Sequence, residues 1–151
     1  MKVLVLKPGM PLPEYSFASD VGFDLRASES SSLAPYEQKT VKTGIAIEIP
    51  KGHVGLIRDR AGIITKMNVH TAAGTFDPAY RGEISVVLIN FGEETAHIEE
   101  GMRIAQMLIL PVEKVKIKQA KKLSDSERGD RGFGSTGMKE IIKFQNKLKR
   151  R

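Results

Sequence analysis

The chain has 151 residues, 24 Lys and Arg against 18 Asp and Glu, and no cysteine. That length suits one domain with a sizeable core, and the missing cysteines exclude a disulfide framework and a thiolate metal centre. The formal net charge is +6, but four lysines, two arginines and one glutamate lie between Met138 and Arg151, so the remainder is close to neutral. A duplex-binding domain carries its basic stripe on a folded face; here the excess reads as a solvated charge run, and nucleic acid is not the expected partner.

The N-terminal stretch MKVLVLKPGMPLPE holds an apolar run too short for a signal peptide, with no cleavage site after it. No segment approaches the ~18 apolar residues of a membrane span. The expectation is a soluble, cytoplasmic protein. Short strands are predicted at 2–6, 40–49, 54–58, 84–91, 103–110 and 112–118, from alternation and β-branched content. Pro35, Pro50, Pro78 and Pro111, with Gly52, Gly82, Gly92 and Gly101, fall between them as breakers. One short helix is predicted at 62–67. In the tail, Ile141, Phe144 and Leu148 share a helical face among lysines. The pattern predicts an all-β, jelly-roll-like barrel or sandwich. The expected organisation is a β domain over 1–118, a polar linker and flexible Gly-rich arm over 119–137, and a basic tail over 138–151.

Five segments combine glycine with polar or charged residues: SDVGFDLRA at 19–27, PKGHVGLIRDRAGI at 50–63, AAGTFDPAYRGEI at 72–84, GMRIAQM at 101–107 and RGDRGFGSTG at 128–137. The last has no apolar periodicity and cannot bury itself as a strand or helix. Its glycines let backbone N–H groups approach phosphate oxygens. Its arginines offer planar donor forks, its Ser and Thr add hydroxyls, and Phe133 can lie flat on a base. Each segment also has a bland reading. Asp24 reads as a turn residue at a strand start, Asp77-Pro78 as a turn opener in a tight hairpin, Gln106 as a polar residue on a wet strand face, and the arm as a Gly/Ser linker.

Taken together, in this order and spacing, the five segments resemble the trimeric dUTP diphosphatases (dUTPases). The family patterns are AGxDLxA, PxGxxGxIxxRSGL, AGVIDxxYRGE, GxRIAQ and RGxGGFGSTG, and the resemblance covers about residues 1–137. It implies a β jelly roll assembled as a homotrimer, with active sites at subunit interfaces and Mg²⁺ on the triphosphate. It implies hydrolysis of dUTP to dUMP and pyrophosphate. Asp77 matches the carboxylate that deprotonates the attacking water, and Tyr80 the aromatic packed under the deoxyribose. Asp24 matches the carboxylate that reaches Mg²⁺ through water, and Gln106 a phosphate-contacting amide. Arg60, Ala61, Gly62, Gly74 and Thr75 fall at further substrate-binding positions. Arg128, Phe133, Gly134, Ser135 and Thr136 match the arm that closes over phosphates and uracil.

The chain departs from the family at Ala61, where serine usually stands, and at Thr75-Phe76 in place of Val-Ile. Arg131 stands where a second glycine is common. Three alternatives remain. One is a non-catalytic or weakened nucleotide-binding protein, which Ala61 favours. Another is a dCTP deaminase, opposed by Val87 at that family's glutamate position. The third is a nucleic-acid module using the basic tail. His53, His70 and His97 are scattered without metal-ligand spacing.

Overall fold

The structure is a computed structural model, and it describes residues 1–131. Phe133, Gly134, Ser135, Thr136 and the expected tail helix lie outside the described residues. Two compact units are present, Met1–Val115 and a second beginning at Lys116, against an expected boundary at 118.

The first unit is built from short antiparallel strands. In chain order they are β1 (Lys2–Val5), β2 (Gly22–Arg26), β3 (Ser31–Leu33), β4 (Gln38–Glu48) and β5 (His53–Arg58). Helix α1 (Ala61–Met67) follows, then β6 (Val69–Ala73), β7 (Thr75–Phe76), β8 (Glu83–Asn90), β9 (Ala96–Ile98) and β10 (Arg103–Pro111). One four-stranded sheet has the order β1-β4-β8-β6, a second has β2-β10-β5-β7, and β3 pairs with β9 in a ribbon. This is the all-β, jelly-roll-like architecture expected, with one short helix at the predicted place.

Alternation explains the packing. Along β8, Ile84, Val86, Leu88 and Asn90 are buried while the residues between them are partly exposed. The inner face of the first sheet presents Val41, Ile47, Ile84, Val86 and Leu88. The second presents Phe23, Leu25, Ile57, Ile104 and Met107, and all belong to one core cluster. Each such side chain contributes roughly 1.5–3 kcal/mol by leaving water.

The strand expected at 112–118 is a correction. β10 ends at Pro111, the Val112 N–H donates to the Gly52 carbonyl at 2.8 Å, and no strand follows among the described residues. Val115 and Ile117 are 75% and 96% exposed. The alternation is there, but β-propensity is realised only against a sheet edge and an apolar surface, and no described strand is paired with this segment. The 72–84 segment is not a tight hairpin either. β6 and β8 are paired neighbours, but the chain between them leaves the first sheet to form β7 on the second. Among the described residues, no helix is long and apolar enough to cross a membrane.

Asn90 closes one end of the fold. It is fully buried, its Nδ2 donates to the carbonyls of Leu33, Ala34 and Glu94, and its Oδ1 accepts from the Gly92 N–H. Asn90→Ala strips these groups of their partner at about 1–3 kcal/mol for each left unsatisfied. The expected result is a lower urea midpoint. An unchanged midpoint would show that water replaces the amide.

Candidate active site

The second sheet aligns the polar groups. β10 pairs with β2 on one side and β5 on the other, and Gln106 stands opposite Asp24 and Arg58. Asp24 lies within β2 rather than at a strand start. Its side chain is 17% exposed, and it is neutralised from two directions. Arg60 Nε donates to Oδ1, and Arg103 Nε forms an ion pair with Oδ2, each at 3.1 Å. An isolated carboxylate this buried would be costly, and the two guanidiniums offset that. Among the described residues each uses only Nε on Asp24, so the terminal nitrogens of both forks remain for an anion. Asp24, Arg60, Arg103 and Gln106 line one cleft, with Tyr15 and Phe17 on its rim. Gly22 lets that amide lie close to β2: a Cβ would sit 2.9 Å from Gln106 Oε1.

The chain turns from β5 into α1 at Asp59-Arg60. Arg60 is the N-cap residue, in extended conformation, and no side chain caps the helix. Ala61 and Gly62 open its first turn, and Ala61 is exposed. Gln106 Nε2 donates to the Asp59 carbonyl at 2.9 Å. The Asp59 carboxylate accepts from the Thr71 N–H at 2.6 Å and the Thr71 hydroxyl at 2.7 Å, and it meets His70 Nδ1 at 3.3 Å. Burial pushes the Asp59 carboxyl up, but the hydrogen bonds from Thr71 and the bond and charge of His70 outweigh it and hold it below its ordinary value.

A second group forms around β7. Gly74 precedes it, and a Cβ there would lie 2.4 Å from Ile57 Cβ. The Gly74 carbonyl accepts from the Ile57 N–H at 2.8 Å. Thr75 is exposed in β7, and Asp77 is exposed just after it. Tyr80 folds back, its N–H donating to the Asp77 carbonyl and its hydroxyl to the Glu83 carbonyl, each at 3.1 Å. Its ring lies 5.7 Å from that of Phe76 and over Gly82, where a Cβ would meet Tyr80 Oη at 2.4 Å. Gly82 therefore makes room for the ring.

The two groups stay apart within one chain. Leu56 pairs with Thr75 and Gly55 with Phe76, so the antiparallel register carries Asp77 towards the level of Val54. Arg60 lies about six residues the other way, ~20 Å of strand at ~3.3 Å per residue. The structure thus joins Asp24, Arg60 and Gln106, and separately Gly74, Thr75, Asp77 and Tyr80. Arg128 belongs to the second unit. There its Nε donates to the Arg131 carbonyl at 3.0 Å, and Arg131 Nε returns a bond to the Arg128 carbonyl at 3.1 Å.

The sequence reading missed Arg103 and Asp59. On a regular strand, residues three apart face opposite ways, which separates Arg103 from Gln106. A register shift between Arg103 and Ala105 reverses this and brings both to the cleft. Its trace is the consecutive burial of Ile104 and Ala105. Asp59, between two arginines, gave no signal.

The donor set bears on a metal. No three Asp, Glu or His residues converge among the described residues. One carboxylate already paired with two guanidiniums leaves a divalent cation to be held mainly by phosphate oxygens and water.

The family model described as dUTPase matches residues 9–137. The deoxyuridine 5'-triphosphate nucleotidohydrolase of Crocosphaera subtropica is 46% identical over 140 residues, covering 91% of this chain and 99% of that one. That of Clostridium tetani is 44% identical over 139 residues, covering 91% and 96%. Among solved structures, a mutant dUTPase of Staphylococcus bacteriophage 80alpha with dUpNHpp superposes with a TM-score of 0.86 at 30% identity, covering 90% of this chain and 97% of that one. A mutant dUTPase from phage phi11 of S. aureus, described with a structural Mg(II) ion, gives 0.77 at 25% identity, covering 82% and 98%.

The Asp59 environment fixes a sign for acid stability. A native value below the ordinary 3.8 means that Asp59 stabilises the fold above that pH, and that this is lost as pH falls through the native value. Asp59→Asn is expected to lower the melting temperature near pH 7, with the gap to wild type closing below about pH 3.8. A gap independent of pH would contradict this.

Proposed function

We propose how the site works from one premise: the chain belongs to the dUTPase family, enzymes that hydrolyse dUTP to dUMP and pyrophosphate. The observation that carries the reading is the meeting of Asp24, Arg60, Arg103 and Gln106 on one cleft, with two guanidiniums on a single carboxylate. The triphosphate lies there. Arg60 and Arg103 neutralise phosphate oxygens, and Gln106 holds the loop that presents Arg60. The Gly62 backbone approaches phosphate closely, having no Cβ. Asp24 would hold a Mg²⁺ through water, and that ion would supply charge neutralisation on the triphosphate.

Asp77 accepts a proton from a water whose oxygen bonds to the α-phosphorus, as the bond from that phosphorus to the bridging oxygen breaks and pyrophosphate leaves. Such chemistry needs positioning and charge stabilisation more than covalent help. The exposed backbone of Gly74 and Thr75 beside β5 reads the uracil edge, and the Tyr80 ring packs under the deoxyribose. Because the phosphate group and the Asp77 group lie ~20 Å apart along the strands, each complete site takes its halves from different copies of a homotrimer. Arg128, Phe133, Gly134, Ser135 and Thr136 belong to an arm that closes over the bound nucleotide and excludes water.

Ala61 leaves one donor out. Its side chain is exposed at the helix start, so serine adds an oxygen without crowding. A hydrogen bond to a charged group is worth roughly 1.5–3 kcal/mol, or about ten- to hundredfold in rate.

Asp77→Asn keeps the shape and removes the basicity. Turnover of dUTP, read by pyrophosphate release, is expected to fall by at least ~10²-fold while dUpNHpp binding is kept; wild-type-like turnover would refute the assignment. Ala61→Ser is expected to raise kcat about ten- to hundredfold with KM nearly unchanged. No gain in kcat would mean that the missing hydroxyl does not limit the enzyme.

A further inference from the structure

We propose that Asp59 is a positioning residue for phosphate recognition, fixing the direction in which Arg60 leaves the chain. The inference rests on the reading that Arg60 meets the phosphates.

The β5–α1 junction must hold Arg60 steady, yet the usual device is missing. The helix has no side-chain cap, and no acidic residue stands in its first turn. What holds the junction is the residue before Arg60. The Asp59 carbonyl is tied to β10 by Gln106 Nε2, so the backbone leading into Arg60 is anchored to the middle of the second sheet. The Asp59 side chain reaches the other way, to the N–H and hydroxyl of Thr71 and to His70 on β6. β6 is an edge strand of the first sheet, and its register shifts between Thr71 and Ala73. The carboxylate takes up a backbone donor at that irregular edge, and a neutral apolar side chain could not. Asp59 is thus held by both sheets, and Arg60 follows one bond sequence later with its Nε on Asp24.

The chemistry constrains the role. A carboxylate turned into the cleft would repel a triphosphate. This one is turned away, with its oxygens engaged by Thr71 and His70. It acts through Arg60 and touches no substrate. Loss of the anchor lets the guanidinium sample directions away from the phosphates, and small displacements of such a group cost on the order of 10- to 100-fold.

The test compares Asp59→Ala, Asp59→Asn, Thr71→Val and Arg60→Ala in the full chain, well below each melting temperature. It measures kcat and KM for dUTP and the dissociation constant for dUpNHpp. Asp59→Ala is expected to raise KM and the dissociation constant roughly tenfold or more, with a smaller change in kcat. Asp59→Asn keeps an acceptor for both Thr71 donors and is expected to restore binding to within about threefold of wild type. Thr71→Val keeps the shape, removes one donor and should weaken binding in the same direction but less. If Asp59→Ala does not fold, Thr71→Val and Asp59→Asn still decide the matter: unchanged binding in the first, or lost binding in the second, overturns the proposal. Destabilisation by Asp59→Ala with unchanged dUpNHpp binding also overturns it, because the residue is then structural only. Arg60→Ala separates the two readings. If it leaves dUpNHpp binding intact, the reading of Arg60 as a phosphate ligand fails. If it weakens binding and Asp59→Ala does not, only the positioning role fails.

Discussion

β10 lies between β2 and β5, and its pairing with both decides what the cleft contains. Gln106 stands across from Asp24 on one neighbour and Arg58 on the other, so the polar residues of three distant segments fall on one line across the sheet. The shift between Arg103 and Ala105 then turns Arg103 to the same side. Without that shift Asp24 would keep one guanidinium, and a buried carboxylate with a single partner is a poor foundation for an anion site. The core beneath, from Phe23 and Leu25 to Ile104 and Met107, holds the register, because slipping by one residue would turn every apolar side chain outward.

The same sheet keeps the site's halves apart. β7 is only two residues long and joins β5 far from Arg60, held by the close approach of Gly74 to Ile57. Any side chain at 74 would push this strand away. Asp77 and Tyr80 are displayed on an exposed turn, away from the group formed by Asp24, Arg60 and Arg103. In the proposed homotrimer, identical copies arranged about a closed symmetry axis each lend one half of a site to a neighbour.

Much of this was legible in the sequence, for physical reasons. The strand at 40–49 alternates from Val41 through Ile45, Ile47 and Ile49, and the one at 84–91 is rich in β-branched residues, with alternate side chains buried along it. The helix after Arg60 begins where alternation stops. Asp24, Arg60, Gln106, Asp77 and Tyr80 stood out because the five glycine-bearing segments that hold them match the dUTPase patterns in order. Short strands such as β3, β7 and β9 were missed, since two or three residues hold no period to read. Residues 112–118 misled because propensity names a strand without supplying a sheet to join. Arg103 was hidden by a bulge, and Asp59 by two neighbouring charges that made it look like ordinary surface.

The division of the site between copies is tested most directly by mixing two inactive variants. Arg60→Ala removes the phosphate half and Asp77→Asn the water-activating half. The two proteins are unfolded together, refolded at equal concentration and assayed for pyrophosphate release from dUTP. Random assortment gives sites with both halves intact at up to about a quarter of positions, so activity is expected to return towards that fraction of wild type. Activity no greater than that of the separately refolded variants would contradict completion of the site between copies.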